Sequence, residues 1–414
     1  MRITNSNGLP TGDSDSPVLL ASPRHGVPAI IDTPSAAHAA IESLRQGATP
    51  IATDVERAHG FRYGADPYLV QIRREDVGTF LFDPVAVPDL SALITDRATT
   101  WILHDAEQDL HNLRQVGLKP YTLFDTMVAA RLIGAQRFGL AAVTEQFLGL
   151  SLAKDHQASD WSVRPLPTGW LRYAALDVEV LTELYRKLAT RLHDLDRWEW
   201  AEEEFADILQ RPRPEMKPDR WRKVPGKGAL KSRRNLAVLR ELWLTRETIA
   251  EEINIDPNRL VRNSALIRAA SMPPRNRRTL LSIQDFRSPL AREYSDQWMR
   301  AIHRARFASE EELPLRGTSR PQAGIPEIRY WARQDPDAFA RLQKVRAAVS
   351  ELAASLDIAP EVLLEPKVQR YLCWAPLERG RTTGDEIEER LVHSGARKWQ
   401  RTLCINALIG ALTS

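Results

Sequence analysis

Only two of the 414 residues are cysteine, Cys373 and Cys404. Both stand among apolar, helix-patterned neighbours, which fits two buried thiols in a reducing compartment. A disulfide framework or a cysteine-built metal site is thereby excluded. No apolar run is long enough to cross a bilayer, so no membrane partner is expected. Residues 1–16 are polar and lack the apolar centre of a secretory leader, which makes the cytoplasm the expected location. A phosphate-binding loop is also missing. Pro225-Gly-Lys-Gly-Ala-Leu-Lys-Ser imitates one, but no glycine precedes Lys231, and a helicase-type motor is excluded.

Net charge is scarce as well, +3 overall, yet its distribution is uneven. Residues 1–204 hold 19 Lys/Arg against 28 Asp/Glu, residues 205–309 hold 23 against 11, and residues 310–414 hold 15 of each. The basic stretch is a candidate surface for a phosphate backbone; a solvated helical face without a ligand is the alternative.

Length and pattern divide the chain. Residues 1–27 read as a disordered or irregular lead. Residues 28–208 read as an α/β domain with a mixed sheet: short β-branched runs at 28–33, 50–55, 68–73, 79–83 and 99–103, then helical periodicity at 107–116, 125–133, 139–148 and 169–192. A basic linker (209–228) leads to a helical block at 229–308. A second linker (309–334) leads to another block at 335–414. The two blocks repeat each other at a constant offset: Ile249-Ala250, Ile253-Asn254-Ile255, Pro257, Leu260 and Val261 correspond to Leu352-Ala353, Leu356-Asp357-Ile358, Pro360, Leu363 and Leu364. Module duplication explains this match.

What is present in quantity is acid at particular places. Asp54 and Glu56, in Ile-Ala-Thr-Asp-Val-Glu, are two apart on a strand-like run and therefore share a face. Asp109 opens a helix after the strand at 99–103, within His-Asp-Ala-Glu-Gln-Asp-Leu. Tyr173 and Asp177, in Tyr-Ala-Ala-Leu-Asp, are four apart in a helical pattern and lie on one helix face. Each signal alone is weak, since Asp-x-Glu pairs and Tyr/Asp pairs at helical spacing are common surface features. Carboxylates from separate segments converge only if something offsets their repulsion. A pair of divalent cations does this and is a standard device for phosphodiester cleavage.

In this order, these motifs resemble the ribonuclease D family of the DEDD superfamily of 3′-5′ exonucleases, in the branch with a tyrosine in the third motif. Residues 50–57, 104–110 and 173–177 match the three motifs. Tyr68-Leu-Val-Gln-Ile, Phe124-Asp-Thr and the stretch from Lys154 through Asp160-Trp161 to Arg164-Pro165-Leu166 extend the likeness, and Glu-Arg-Ala-His-Gly-Phe-Arg-Tyr is similar to actinobacterial members. The helical blocks are similar to HRDC modules. One departure stands in the second motif, where Asp105 occupies a place often held by Asn or Ala. The family pattern selects Asp109 as the ligand and leaves Asp105 to cap the helix.

The resemblance implies a ribonuclease H-like exonuclease domain followed by two all-α HRDC-like domains. It also implies two Mg²⁺ or Mn²⁺ ions: Asp54, Glu56 and Asp177 would hold one, Asp54 and Asp109 the other, and Tyr173 would orient the attacking water. The product would be a 5′-mononucleotide, the substrate RNA with tRNA precursors foremost, and the protein a monomer. A 3′-5′ DNA exonuclease, with single-stranded DNA as partner, stays open as an alternative, as does a non-catalytic nucleic-acid-binding protein. Gln71, His104 and Trp161 are candidates for substrate contact, each with a packing role as the rival reading. Phe61 and Tyr63 carry the same ambiguity. Arg275, Arg277 and Arg278 in a proline-marked turn, with Arg220, Arg222, Lys223 and Lys227 before it, are candidates for gripping the RNA backbone.

Overall fold

The computed structural model describes residues 17–93, 97–152, 158–212, 219–316, 324–374 and 384–413. Lys154, residues 1–16 and parts of both linkers lie outside that set.

The N-terminal half is built on a six-stranded mixed sheet. Its strands are β2 (Ile30–Ile31), β3 (Ile51–Arg57), β4 (Pro67–Arg74), β5 (Gly78–Phe82), β6 (Thr100–Leu103) and β7 (Thr122–Asp125), in spatial order β2-β5-β4-β3-β6-β7. β3, β4 and β5 form an antiparallel meander, while β6 joins β3 and β7 joins β6 in parallel. Asp54 lies opposite Gln71 and Glu56 opposite Leu69. The hairpins need only short turns, whereas each parallel step needs a crossover.

Sequence periodicity places most of these elements within a few residues. It does not show β1 (Val18–Leu20), which pairs in parallel with β8 (Leu150–Leu152). The expected irregular lead is therefore corrected at residues 18–20: they form a strand, and nearby Arg24 pairs with Glu179 and Glu183.

Helices flank the sheet. α1 (Pro34–Gln46) is capped by Thr33 and buries Ala37, Ala40, Ile41 and Leu44, a 3.6-residue stripe. α2 (Ala106–Gln115), α3 (Thr126–Leu132) and α4 (Leu140–Leu148) follow, and α5 (Thr168–Asp194) then runs 27 residues along β3. α6 (Trp198–Gln210) closes this half against β7.

The first helical block comprises α7 (Arg233–Glu252), α8 (Pro257–Leu260), α9 (Asn263–Ser271), α10 (Arg277–Leu281), α11 (Pro289–Glu293) and α12 (Ser295–Phe307). The second comprises α13 (Trp331–Gln334), α14 (Pro336–Ser355), α15 (Pro360–Leu363), α16 (Pro366–Trp374), α17 (Gly384–His393) and α18 (Lys398–Thr413). Helices α7, α8 and α9 reappear as α14, α15 and α16, each shifted by 103 residues at both ends. The repeat seen in the sequence is thus a repeat of structure.

The two blocks differ in how they join the rest. The second shares one continuous apolar core with the sheet domain. Trp200 stacks on Trp399 with centroids 4.8 Å apart, and Arg397 pairs with Glu204 at 3.1 Å. The first block has a core of its own and is fastened mainly by polar contacts to residues 60–68. Asp256 N–H donates to the Phe61 carbonyl at 3.0 Å, Tyr63 N–H to Asn254 Oδ1 at 3.1 Å, and Arg259 to the Gly60 carbonyl at 2.6 Å.

Candidate active site

β3 delivers the first two acids. Its alternation buries Ala52 and places Asp54 and Glu56 on one face, toward α5. α5 crosses there and supplies Asp177. One carboxylate oxygen from each of Asp54, Glu56 and Asp177 lies within 4.8 Å of the others. Glu56 and Asp177 are buried, whereas Asp54 is partly open. Asp109, near the start of α2, is not in that trio; its carboxyl lies within hydrogen-bonding reach of Asp54. Asp54 therefore sits between Asp109 on one side and the Glu56/Asp177 pair on the other.

The four carboxyl groups burden one another electrostatically. Burial pushes all four carboxyl pKa values up. Repulsion from Asp54, Asp177 and Asp109 pushes Glu56 further, and repulsion from Asp54 does the same to Asp109 and Asp177. Positive charge brought beside such a group favours its charged form, as Arg57 does for Asp54, Glu56 and Asp109. Hard carboxylate oxygens at this spacing suit Mg²⁺ or Mn²⁺, so the residues fit divalent ions.

The Tyr173 hydroxyl hydrogen-bonds to Asp177, one helical turn away. Burial and the neighbouring acids raise its pKa, so the phenol keeps its proton. Behind it, Trp161 lies 6.4 Å from the Tyr173 ring and 5.3 Å from Trp170, centroid to centroid.

Several sequence candidates find other roles. Trp161 is 0% exposed, which corrects the expectation that it stacks on bases: the loop carrying it is folded inward by Arg164. That guanidinium makes a two-pronged pair with Asp83 at 2.6 and 2.7 Å and donates to the Tyr68 and Trp161 carbonyls. Gln71 is 0% exposed and donates to Asp54 Oδ2 at 3.4 Å, so it supports a candidate ligand from within the sheet and cannot meet substrate. His104 meets Thr126 Oγ1 at 2.9 Å, and burial pushes its pKa down to about 4; it is a neutral packing group at the α2 start. Phe61 lies under Arg259, 4.0 Å from the guanidinium carbon, and Tyr63 packs on the first helical block; both serve docking. Arg275, Arg277 and Arg278 are exposed on that block.

Asp105 does occupy the cap position of α2, but its side chain does not cap. Its backbone is left-handed (φ +59°), and its carboxylate accepts from Gln108. The free amides of Asp105 and Ala106 go instead to Asp125, at 3.2 and 2.7 Å. Asp125 also caps α3 through Met127 and Val128 N–H, and burial raises its pKa to about 6. One carboxylate thus ties two helix starts together and sets where Asp109 stands. The Phe-Asp-Thr motif carried this signal, but its function was not readable from spacing. Arg57, Asn112 and Asp125 are the residues at this site that the sequence left without roles.

Known proteins resemble the chain over most of its length. The 3′-5′ exonuclease family profile matches residues 28–193 and the HRDC profile residues 235–302. Residues 324–412 match a different profile, described as a 3′ to 5′ exonuclease C-terminal domain. Ribonuclease D of Pseudomonas paraeruginosa is 32% identical over 356 residues, covering 84% of this chain and 87% of that one. A crystal structure of a protein from Bifidobacterium adolescentis is 37% identical, with a TM-score of 0.86 over 96% of this chain and 100% of that one. Escherichia coli RNase D, described as an exoribonuclease involved in structured RNA processing, shares the fold at 23% identity and a TM-score of 0.65, covering 93% and 98%.

Proposed function

The chain belongs to the ribonuclease D family of 3′-5′ exoribonucleases, and from that premise we propose that it trims structured RNA precursors, tRNA foremost, one 5′-mononucleotide at a time. The observation that carries the site assignment is the meeting of Asp54, Glu56 and Asp177, from two distant segments, within 4.8 Å. In this reading Asp54, Glu56 and Asp177 hold one divalent ion, and Asp54 with Asp109 a second. Bound there, such ions supply an acidified water and neutralise charge developing on the phosphate.

The chain's own groups do the rest. Tyr173, fixed by Asp177 and backed by Trp161, positions the attacking water by hydrogen bonding. Its one O–H goes to Asp177, so its oxygen accepts from the water, and with a raised pKa it does not serve as a base. Water adds to phosphorus, and the 3′ oxygen of the preceding nucleotide leaves with a proton, shortening the RNA by one. Gln71 and Arg164 keep β4 and the 158–166 loop in place around these groups. The exposed arginines of the first helical block grip the RNA body without reading its sequence. We place this work in the cytoplasm and assign it to a monomer.

The test is degradation of a 3′-extended tRNA with Mg²⁺, with EDTA, and with Asp109→Asn, alongside a DNA strand of the same sequence. Shortening of the RNA only by the unmodified protein with Mg²⁺ is expected. Equal cleavage by Asp109→Asn would remove the assignment.

A further inference from the structure

Arg57 follows directly on the acidic pair, yet strand alternation should turn it away from the face that Asp54 and Glu56 share. It does not turn away. Between Glu56 and Arg57 the β3–β4 register slips by one residue: Glu56 faces Leu69, Arg57 faces Pro67, and Tyr68 is the extra residue. Such slips bend a strand and re-aim its side chains. Past the slip, the Arg57 guanidinium reaches α2. Its Nη1 lies 2.5 Å from Asp109 Oδ1 and donates to the Gln108 carbonyl and to Asn112 Oδ1, both at 3.2 Å.

Asn112 is itself fixed. Its amide donates to the Ala65 carbonyl and to Gln115 Oε1, which leaves its oxygen for Arg57. With the Gln108 side-chain oxygen at 3.5 Å, the cation beside Asp109 is therefore held by four acceptors on one helix. Its side chain is 22% exposed, whereas that of Asp109 is 4% exposed. A positive charge from the chain is thus already paired with Asp109, and it is the more accessible member of the pair.

We propose that Arg57 is the resident counter-ion of Asp109, and that a divalent cation gains Asp109 only when the phosphate of bound RNA draws Arg57 away. Guanidinium binds phosphate as readily as carboxylate, and in the same forked geometry. The exchange leaves no charge unpaired: Arg57 passes from a carboxylate to a phosphate, and the ion takes the carboxylate it leaves. Arg57 is thus a positioning residue that makes completion of the metal pair depend on substrate. This rests on the proposed roles of Asp54 and Asp109 as ligands.

The experiment is calorimetric titration of the full chain with Mn²⁺, with and without 5′-AMP as the phosphate probe, for the unmodified protein, Arg57→Gln and Arg57→Lys. Circular dichroism checks that each variant is folded. Without nucleotide, the unmodified protein should bind one ion well and a second far more weakly, and 5′-AMP should tighten the second. Arg57→Gln should tighten the second ion without nucleotide by about tenfold, the worth of one charge-assisted hydrogen bond, and remove most of the nucleotide effect. Arg57→Lys should keep the unmodified pattern in weaker form. A folded Arg57→Gln whose second-ion affinity is unchanged or lower overturns the proposal. So does an unmodified protein that takes both ions equally well without nucleotide, a result that holds even if Arg57→Gln does not fold. If the unmodified protein binds no divalent ion at all, the metal assignment itself falls, which is a distinguishable result.

Discussion

Asn254 and Asp357 stand 103 residues apart, share the same left-handed backbone conformation (φ +49° and +51°), and each sits in a turn that docks on the nuclease half. Asn254 receives the Tyr63 N–H, while Leu356, beside Asp357, receives Arg197 at 2.5 Å. The duplicated module thus uses the same turn, after α7 and after α14, to fasten itself at two different places. At the second place Gly134 is required. Its φ is +90°, and a methyl group there would run into the Asp357 carbonyl oxygen. Gly134→Ala should cost about 1–3 kcal/mol and lower the melting temperature by several degrees. Gly410→Ala, in open space on α18, is the control and should be neutral or slightly stabilising. Equal melting of the two variants would count against the docking account.

Metal-free stability should separate two of the acids. Glu56 is buried and repelled by three carboxylates, which raise its pKa. A carboxyl whose folded pKa is raised costs stability increasingly as pH climbs from its ordinary value toward the folded one. In EDTA, Glu56→Gln should therefore melt higher than the unmodified protein, and the gain should be larger near pH ~8 than near pH ~5. Asp109→Asn should gain less or nothing, because relief of burial and of repulsion from Asp54 is offset when Arg57 loses its partner. Both should lose activity by on the order of a hundredfold or more. Thermal scans with and without Mg²⁺ decide this, and identical shifts for the two variants would contradict the arrangement.

Tyr173 and Trp161 should differ in kind. Tyr173→Phe removes one hydroxyl from beside Asp177 and should cut kcat by roughly 10- to 100-fold, with Mn²⁺ affinity and folding retained. Trp161→Ala empties a site that is 0% exposed and should cost about 3–5 kcal/mol. Steady-state kinetics beside chemical denaturation tests the pair. A stable, inactive Trp161→Ala would return Trp161 to the list of substrate contacts.

His104 gives a pH signature away from the metal cluster. Its folded pKa, about 4, lies below its ordinary 6.5. The unfolded chain therefore binds a proton that the folded one refuses, and stability drains away as pH falls from 6.5 toward 4. The full effect is on the order of 3 kcal/mol. In His104→Asn that drain is absent, so the stability advantage of the unmodified protein should shrink across the same window. Denaturant titrations at the two ends measure it; a constant difference would show that His104 is not held neutral.

How much of this was legible beforehand depended on range. Asp54 with Glu56 and Tyr173 with Asp177 follow from strand and helix periods, which are local. The module repeat was likewise legible, because both copies keep the same apolar spacing. Strands β1 and β8 were not, since three residues show no alternation and pair only across the fold. Trp161 sits in Ser-Asp-Trp-Ser, whose polar flanks suggest exposure. Its burial is decided by the Arg164–Asp83 pair, two residues 81 positions apart. Asp125 and Arg57 eluded the pattern for the same reason: one caps a helix on the neighbouring segment, and the other depends on a register slip.

The basic face of the first helical block should show itself in salt dependence. Arg275, Arg277 and Arg278 are exposed, close together in sequence, and remote from the four acids along the chain. If each meets a phosphate of a bound RNA, each contributes to counterion release on binding. Replacing all three by Ala should weaken binding of a 3′-extended tRNA and reduce the slope of log affinity against log salt by about 2, at ~0.7 per contact on single strands. Cleavage of a very short RNA that cannot reach the block should be unchanged, because the substitutions leave the acids in place. Fluorescence anisotropy across a salt series, with kinetics on long and short substrates, separates the two effects. Unaltered affinity and slope would mean that the RNA body lies elsewhere, whereas a parallel loss on the short substrate would place these arginines in folding and not in the grip.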